Sequence, residues 1–315
     1  MPTGCPSMLG CRASSANPVL MAPRRLTARS LLILLAAVGL LAGPASAAPA
    51  EVPRLIFPVV GPASFVDDFG DPRGQGRHEG NDIMATKKSV AVAVEAGTVK
   101  FWTTSWRAGC MLYLYGRSGT TYLYIHLNND RTSGNDNTGA CVQGIAYARG
   151  LKNGSRVKAG QMVGYVGDSG DADGGSAHLH FEVHPGDGGA TNPYRYLRRA
   201  QRLLFAPQPG SDEFSLRMKG TVVSAEATSA TVQVNRLVRF PGQLSVSDLH
   251  RKVELAVSPE TAVFDPLGAL IAGAQIAALV AGKPATIWTE TQPYSLAAQL
   301  GVALSMTAQR IALTR

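Results

Sequence analysis

Short apolar runs separated by turn residues dominate the chain between about residues 56 and 204. Clusters of Gly, Asn and Asp interrupt them, and the runs occupy positions 90–94, 98–102, 111–115, 121–125, 162–166 and 179–183. Runs of four to eight apolar residues bounded by turn signals are typical of β-strands. Their close spacing favours an antiparallel sandwich or barrel-like domain over alternating strands and helices. A basic segment at 196–204 then predicts a short helix.

A second set of short apolar runs follows a proline-containing joint at 205–211. These runs lie at 221–223, 231–234, 252–257, 285–289 and 308–313. They predict a small β-barrel, for which an OB-like barrel is one arrangement. The uncharged stretch 266–282 is interrupted by Gly and Pro, so we expect a helix packed on the barrel there rather than a membrane span. The fold class is therefore all-β, with a first domain over 48–207 and a second over 208–315.

The first 47 residues resemble a secretory leader. Arg24, Arg25 and Arg29 precede an apolar run at 31–41, and the small residues at 45–47 suit a cleavage site. A membrane anchor is the rival interpretation, but this run is well short of the roughly 20 residues that span a bilayer. We expect residues 1–47 to be a signal peptide, whether translation starts at Met1 or Met21. The mature protein would be secreted, periplasmic or cell-wall associated, without a stable membrane span.

Composition and charge restrict the function classes. The chain has 315 residues, 45% hydrophobic and 17% charged, which is enough apolar material for one or two folded domains. Half of the net charge of +8 comes from the predicted leader, which holds four arginines and no acidic residue. The mature chain has neither a Lys/Arg run nor basic residues interleaved with aromatic ones, so we expect no nucleic-acid partner. Its oligomeric state stays open.

Two cysteines, Cys110 and Cys141, lie beyond the predicted cleavage site. In an exported protein such a pair predicts a disulfide, which would contribute roughly 3–4 kcal/mol by closing the intervening loop. Two free buried thiols are the alternative.

Histidines carry the clearest chemical signal. His78 and Asp82 form an H-x-x-x-D pattern. His178 and His180 are two positions apart on a predicted strand. Residues i and i+2 of a strand face the same side, so both imidazoles would point into one space. His78, Asp82 and one member of the pair would give zinc three ligands and leave its fourth position open, as in catalytic sites. A closed structural site using both histidines is the alternative.

His126 ends an aromatic strand and offers a further imidazole. By itself it is an ordinary residue at a strand end. Beside a zinc ion with an open position, His126 and the histidine of the pair that does not bind the metal could move a proton or stabilise a developing oxyanion.

These motifs together resemble the lysostaphin-type (LytM-like) zinc endopeptidases of peptidoglycan. The family pattern of H-x-x-x-D, a Tyr-x-His-Leu strand and H-L-H-F-E appears in order at 78–82, 124–127 and 178–182. The flanking segments 69–73, 94–99, 157–167 and 192–197 also resemble the family. The resemblance therefore covers about residues 56–200. The run at 86–91 and a longer, more acidic loop at 168–176 depart from the pattern. That loop is expected to rim the groove, its aspartates either influencing peptide choice or lying solvated in turns.

The resemblance implies a β-sheet peptidase domain that binds Zn²⁺ through His78, Asp82 and His180. It also implies that His126 and His178 assist a metal-activated water in attacking the scissile amide. The substrate would be a stem peptide or cross-bridge of peptidoglycan, and Arg73 and Arg77 could attract its carboxylates. His184 lies outside the pattern and is expected at a surface turn.

Two other functions are alternatives to a zinc endopeptidase. A catalytically inactive wall-binding or amidase-activating module of the same fold would be expected to lack ligands, whereas every ligand position is filled here. A zinc D,D-carboxypeptidase would need a Glu-x-x-Trp-His ending in place of H-L-H-F-E. The role of 208–315 and the bond cleaved stay open at this stage.

Overall fold

The computed structural model describes residues 51–74, 76–271 and 278–315. The predicted signal peptide at 1–47 lies outside the described residues. So do positions 272–277 of the helix expected over 266–282, while its described flanks contain turns. Within the described residues, no helix combines the length and hydropathy needed to cross a membrane.

The first half of the described chain is built from short strands. In chain order they are β1 (Ala63–Ser64), β2 (Pro72–Arg73), β3 (Gly76–Arg77), β4 (Asn81–Ala85), β5 (Val90–Val92), β6 (Gly97–Trp102), β7 (Cys110–Gly116), β8 (Thr120–Leu127), β9 (Arg156–Val157), β10 (Met162–Tyr165) and β11 (His178–Pro185). Seven of them form one antiparallel sheet in the order β1-β4-β11-β8-β7-β6-β9. The strands β5 and β10 pair separately, as do β2 and β3.

Alternation along β11 separates the two faces of this sheet. Leu179, Phe181 and Val183 are fully buried in the main hydrophobic core. His178 and His180 therefore project from the opposite face, which we call the outer face. The prediction that the intervening apolar residues face the core is confirmed.

A short helix α1 (Tyr194–Arg199) follows the sheet. The sequence predicted a helix over 196–204, which is too long at its carboxyl end. The chain becomes extended at Ala200, and Gln201 exchanges backbone hydrogen bonds with Leu55 and Phe57. Pairing with the amino-terminal segment thus replaces the last predicted helical turn.

The second half forms a small barrel with two edge strands. Its elements are β12 (Glu213–Glu226), β13 (Ser229–Phe240), β14 (Leu244–Val246), β15 (Arg251–Phe264), β16 (Pro284–Thr289), β17 (Gln292–Pro293), α2 (Leu296–Leu300) and β18 (Thr307–Leu313). Strands β12, β13, β15, β18 and β16 close a ring in that order, because β16 pairs back onto β12. The predicted all-β fold with a small β-barrel is confirmed. The structure shows that the barrel has five strands and that β16, β12, β13 and β15 form a Greek key, as in an OB-like barrel.

The seven-stranded sheet and the barrel share apolar contacts. Leu204 and Phe205 are fully buried in the barrel core, while Val246 of the barrel belongs to the core beneath the sheet. Backbone hydrogen bonds from Leu204 to Gln299 and from Met162 to Pro207 continue this junction.

A disulfide joins Cys110 and Cys141, as the sequence predicted. Cys110 begins β7 and pairs with Leu127 of β8. The covalent link therefore ties the loop after β8 to the strand beside it.

Candidate metal centre and catalytic groove

A polar groove of about 590 Å³ lies on the outer face. Its floor comes from β4, β8 and β11, where His180 is the direct pairing partner of both Asp82 and Ile125. The sheet register thus brings together residues that lie far apart in the sequence. The five residues predicted to bind zinc or to assist catalysis all line this groove, namely His78, Asp82, His126, His178 and His180.

Three potential ligand atoms converge at one end of the groove. His78 Nε2 lies 2.9 Å from His180 Nδ1 and 3.1 Å from Asp82 Oδ1, and the latter two atoms are 3.0 Å apart. Among the described residues, this is the group of three acidic, histidine or cysteine side chains whose ligand atoms are close enough to share a metal ion. The side chains are largely buried, with 4% of His78 exposed.

Hydrogen bonds on the far side of each imidazole fix which nitrogen faces this point. His78 Nδ1 donates to the Asp68 carbonyl oxygen at 2.8 Å, and His180 Nε2 donates to Glu182 Oε1 at 3.1 Å. In the neutral rings, the nitrogens that face each other are therefore the unprotonated ones. While both rings are neutral, two nitrogen lone pairs and a carboxylate oxygen meet without a proton between them, an arrangement that a cation would stabilise.

The donor set fits Zn²⁺. Two imidazole nitrogens and one carboxylate oxygen are a known catalytic zinc set, and ligands at about 2.0–2.1 Å in tetrahedral geometry lie about 3.3 Å apart. The three observed separations are a few tenths of an ångström shorter. Hydrogen bonds from metal-binding histidines to a carbonyl or carboxylate, as at Asp68 and Glu182, are the usual outer support of such ligands.

The charges around these atoms shift their pKa values in opposite directions. Burial opposes ionisation of Asp82, but the close contacts of its carboxylate with the His180 and His78 rings hold the pKa of its carboxyl well below the usual range. Burial would likewise lower the pKa of His180, yet Asp82 and Glu182 raise it to about 9. The site is thus strongly attractive to positive charge, whether a proton or a metal ion.

Asp82 is held through both of its oxygens. While Oδ1 faces the histidines, Oδ2 accepts a hydrogen bond from Arg73 at 2.9 Å. Arg73, which the sequence suggested as an attractor of substrate carboxylates, is therefore engaged with Asp82. Arg77 lies at the groove edge and donates to the Gly70 carbonyl oxygen.

His126 and His178 lie next to the three ligand atoms. Their ring centroids are 5.0 Å apart, and the His126 ring is 6.0 Å from that of His180. His126 Nδ1 donates to the Ser169 carbonyl oxygen at 2.8 Å, and His178 Nδ1 donates to that of Ser176 at 2.9 Å. Both neutral rings therefore leave Nε2 available as an acceptor on the other side.

His126 occupies an unusual environment. Its backbone is in the left-handed region at φ +60°, which is uncommon for residues other than glycine. Burial, reinforced by the neighbouring His178, lowers its pKa to about 4. His126 is therefore neutral over the physiological pH range, with Nε2 able to accept a proton.

Sequence reasoning missed the groups that orient the histidines. Glu182 receives hydrogen bonds from both His180 and His184, the latter at 2.6 Å. Glu182 could have been suspected, since it is two residues from His180 on the same strand face. The carbonyl groups of Asp68 and Ser169 have no such signal in the sequence. His184, expected at a surface turn, is partly buried by its contact with Glu182.

The two departures from the family pattern meet in space. Lys87 Nζ lies 2.7 Å from Asp130 Oδ2 and 2.8 Å from Asp168 Oδ2, and both aspartates are almost fully buried. Asp168 is thus a buried ion-pair partner rather than a solvated turn residue, while Asp171 and Asp173 are exposed. Because Asp168 precedes Ser169, this ion pair anchors the segment that orients His126.

Comparison with known proteins gives the domain an identity. Residues 76–193 match the model of Peptidase family M23. This segment is a Peptidase family M23 domain. The match spans every histidine and aspartate residue described in the groove, and the M23 domain accordingly carries the His78, Asp82 and His180 group.

The M23 domain has a similar counterpart among characterised bacterial proteins. The chain is 30% identical over 158 residues to the L-Ala--D-Glu endopeptidase of Bacillus subtilis. The matched segment makes up 45% of this chain and 42% of that protein. The chain thus matches less than half the length of this relative.

Part of this chain also resembles solved structures of peptidases. The catalytic domain of lysostaphin from Staphylococcus simulans is 23% identical with a TM-score of 0.32, covering 43% of this chain and 92% of that one. A zinc-containing peptidase from Vibrio cholerae is 23% identical with a TM-score of 0.32, covering 44% of this chain and 38% of that one.

Proposed function

We propose that the chain is an exported zinc-dependent endopeptidase that hydrolyses peptide cross-links of bacterial peptidoglycan. The observation that carries the proposal is the convergence of His78 Nε2, His180 Nδ1 and Asp82 Oδ1 within 3.1 Å of one another. These three residues would hold the metal, and their far-side hydrogen bonds keep the lone pairs pointed towards it.

Zinc bound there would lower the pKa of a coordinated water and polarise the scissile carbonyl group. The chain's own contribution is to hold the ligands and to manage protons. His126, kept neutral by burial, offers Nε2 to accept a proton and can then donate it to the leaving amine. Once protonated, either His126 or His178 presents an N–H group that can stabilise a developing oxyanion.

The named relative supports the choice of substrate. The protein from Bacillus subtilis is an L-Ala--D-Glu endopeptidase by name, and it is similar to this chain over 158 residues. Peptidoglycan lies outside the cytoplasmic membrane, so this substrate agrees with the leader predicted at 1–47. The groove is open and predominantly polar, which suits an extended peptide.

The proposal is tested by incubating the purified full-length mature protein with defined peptidoglycans and analysing the released muropeptides by mass spectrometry. We expect new peptide termini, their loss after a zinc chelator and their return when zinc is restored. His180→Ala should lose both bound zinc, measured by elemental mass spectrometry, and hydrolysis. His250→Ala is the matched control, because His250 is exposed and lies in the barrel.

Hydrolysis that persists in His180→Ala would contradict the proposed metal centre. Zinc binding without release of any muropeptide would instead favour an inactive wall-binding or amidase-activating module.

A further inference from the structure

A strip of aromatic side chains lies on the outer face beside the groove. It consists of Trp102 on β6, Tyr113 and Tyr115 on β7, and Trp106 in the β6–β7 loop, and we call it the aromatic strip. Trp102 and Tyr115 are each 38% exposed, and Trp106 is 75% exposed. Three of the rings are neighbours, since the Tyr113 ring centroid lies 5.8 Å from that of Trp102 and 6.2 Å from that of Tyr115. Trp106 lies in the loop that joins their two strands.

Strand register makes this strip continuous with the proposed metal centre. Tyr113 pairs with Leu123, and Leu123 pairs with Glu182, which lies in the groove. Adjacent strands are about 4.8 Å apart, so Tyr113 lies two strands, or about 10 Å, from the strand that carries His180. The loop that contains Trp106 reaches the groove itself through Ser105 and Arg107.

The hydrophobic core does not account for the exposed faces of these rings. A small apolar cluster of Met111, Leu123 and Ile125 is already buried beneath Tyr113. Trp102, Trp106 and Tyr115 are not part of that cluster and present ring surface to solvent. A cation lies over one face of each indole, with Lys100 Nζ 5.1 Å from the Trp102 ring centroid and the Arg107 guanidinium 5.2 Å from that of Trp106.

We propose that the aromatic strip binds the glycan strand of peptidoglycan while a peptide attached to that strand occupies the groove. This inference rests on the proposed function. One face of a pyranose ring is lined by C–H groups and stacks on indole or phenol rings, while its hydroxyl and acetamido groups need hydrogen-bond partners. The strip offers both, since exposed indole and phenol ring surface lies next to the charged groups of Lys100 and Arg107 and two phenol hydroxyl groups.

The dimensions suit a short stretch of glycan. Across the sheet, β7 lies about 10 Å and β6 about 14 Å from β11, the strand that carries His180. The strip also runs along β7 from Tyr113 to Tyr115. A sugar residue adds about 5 Å to a glycan, so two or three sugars would cover the rings. A glycan strand that carries a peptide would contact the strip and the groove together. A second copy of the chain or a membrane surface would have no reason to contact both.

Tryptophan fluorescence gives a direct test of binding. The chain has three tryptophans, and the one outside the strip is Trp288 in the barrel. A Trp288→Phe variant therefore reports on Trp102 and Trp106. We expect its emission to change in a saturable way when peptide-free glycan strands, prepared by removing stem peptides from purified peptidoglycan, are added.

Two substitutions separate stacking from a structural effect. Trp102→Ala should weaken binding of the peptide-free strands, measured by calorimetry, by about tenfold, and Trp102→Phe should retain most of it because a ring remains. Trp288→Ala is the matched control and should bind as the unaltered protein does. No binding by the unaltered protein, or equal binding by Trp102→Ala, would overturn the proposal.

Kinetics distinguish failure of this proposal from failure of the proposed function. For Trp102→Ala, kcat/KM should fall more on intact sacculi than on a cross-linked peptide without glycan. Equal losses on both substrates would contradict a glycan role while leaving the peptidase intact. If neither substrate is cleaved by the unaltered protein, the peptidase proposal fails, and glycan binding is still decided by the fluorescence titration.

Discussion

The backbone, burial and hydrogen bonding of His126 together fix how its ring faces the groove. Its φ is +60°, its ring is buried, and its Nδ1 is occupied by the Ser169 carbonyl oxygen. A left-handed backbone at a non-glycine residue costs of order 1 kcal/mol and persists only where the surroundings enforce it. The result is an imidazole whose Nε2 alone is available to the groove.

Replacing His126 by Gln is expected to lower kcat by about 10²–10⁴-fold, the usual contribution of a positioned acid–base group. Bound zinc should be unchanged, because the three ligand residues are intact. Elemental analysis and steady-state kinetics on a muropeptide dimer measure the two quantities. Loss of zinc together with activity would contradict the assignment and place His126 among the metal-binding residues.

The pH dependence of this effect follows from the lowered pKa of His126, which is about 4. His126 is neutral above that value, so the rate ratio between the unaltered protein and His126→Gln should be constant from about pH 5 to 8. The ratio should fall towards one as the pH drops through 4, because the protonated ring no longer accepts a proton. A ratio that instead changes near pH 6.5 would show an unperturbed histidine.

Glu182 is the second residue whose chemistry depends on its neighbours. Its carboxylate accepts hydrogen bonds from both His180 and His184, and these contacts outweigh burial and lower its pKa to about 2. It therefore stays ionised at neutral pH and holds His180 with Nδ1 towards the metal centre.

Glu182→Gln should weaken zinc affinity by about 10–100-fold, since the neutral amide gives His180 a weaker and less well-defined partner. Competition with a chromophoric chelator measures the dissociation constant. His184→Ala is the matched control, because it removes a partner of Glu182 but leaves the contact with His180. A larger effect of His184→Ala than of Glu182→Gln would contradict this role.

At the scale of elements, alternation along β11 was readable from the sequence and the loops around it were not. Residues two positions apart on a strand lie on the same face, so His178 and His180 share a face independently of the rest of the fold. The partner of Lys87, by contrast, lies 43 residues away at Asp130 and could not be inferred from local pattern. Contacts at that separation depend on how loops cross the finished sheet.

Lys87→Met should destabilise the protein by about 3–5 kcal/mol, because it leaves two buried carboxylates close together without a counter-charge. Urea unfolding followed by circular dichroism measures the change. Lys88→Met is the matched control, since the Lys88 ammonium group contacts backbone carbonyls of the neighbouring loop rather than a buried carboxylate. Equal losses in the two variants would show that the ion pairs with Asp130 and Asp168 contribute little.

At the scale of the whole molecule, the junction between the sheet and the barrel is apolar. Leu204 and Phe205 are buried in the barrel core, and Val246 of the barrel is buried against the sheet. Arg251 adds hydrogen bonds to the carbonyl groups of Arg202 and Leu300. The barrel therefore supports the M23 domain.

Ending the chain after residue 207 should lower the thermal midpoint of the M23 domain and increase binding of a hydrophobic dye, because Leu204 and Phe205 lose their cover. Val246→Ala in the full chain tests the same junction without truncation and should cost about 1 kcal/mol or more. A truncated protein that unfolds at the same temperature as the full chain would contradict a supporting role of the barrel.

The sequence alone determined the all-β class, the order of the motifs and the shared face of His178 and His180, because these depend on local spacing. Tertiary structure decided which imidazole nitrogens face the metal centre, how Ser169 and Glu182 orient them, and how β16 returns to β12 to close the barrel. It also placed the aromatic strip beside the groove. Those features require strands and loops distant in sequence to meet, and pairing register sets them only once the sheet has formed.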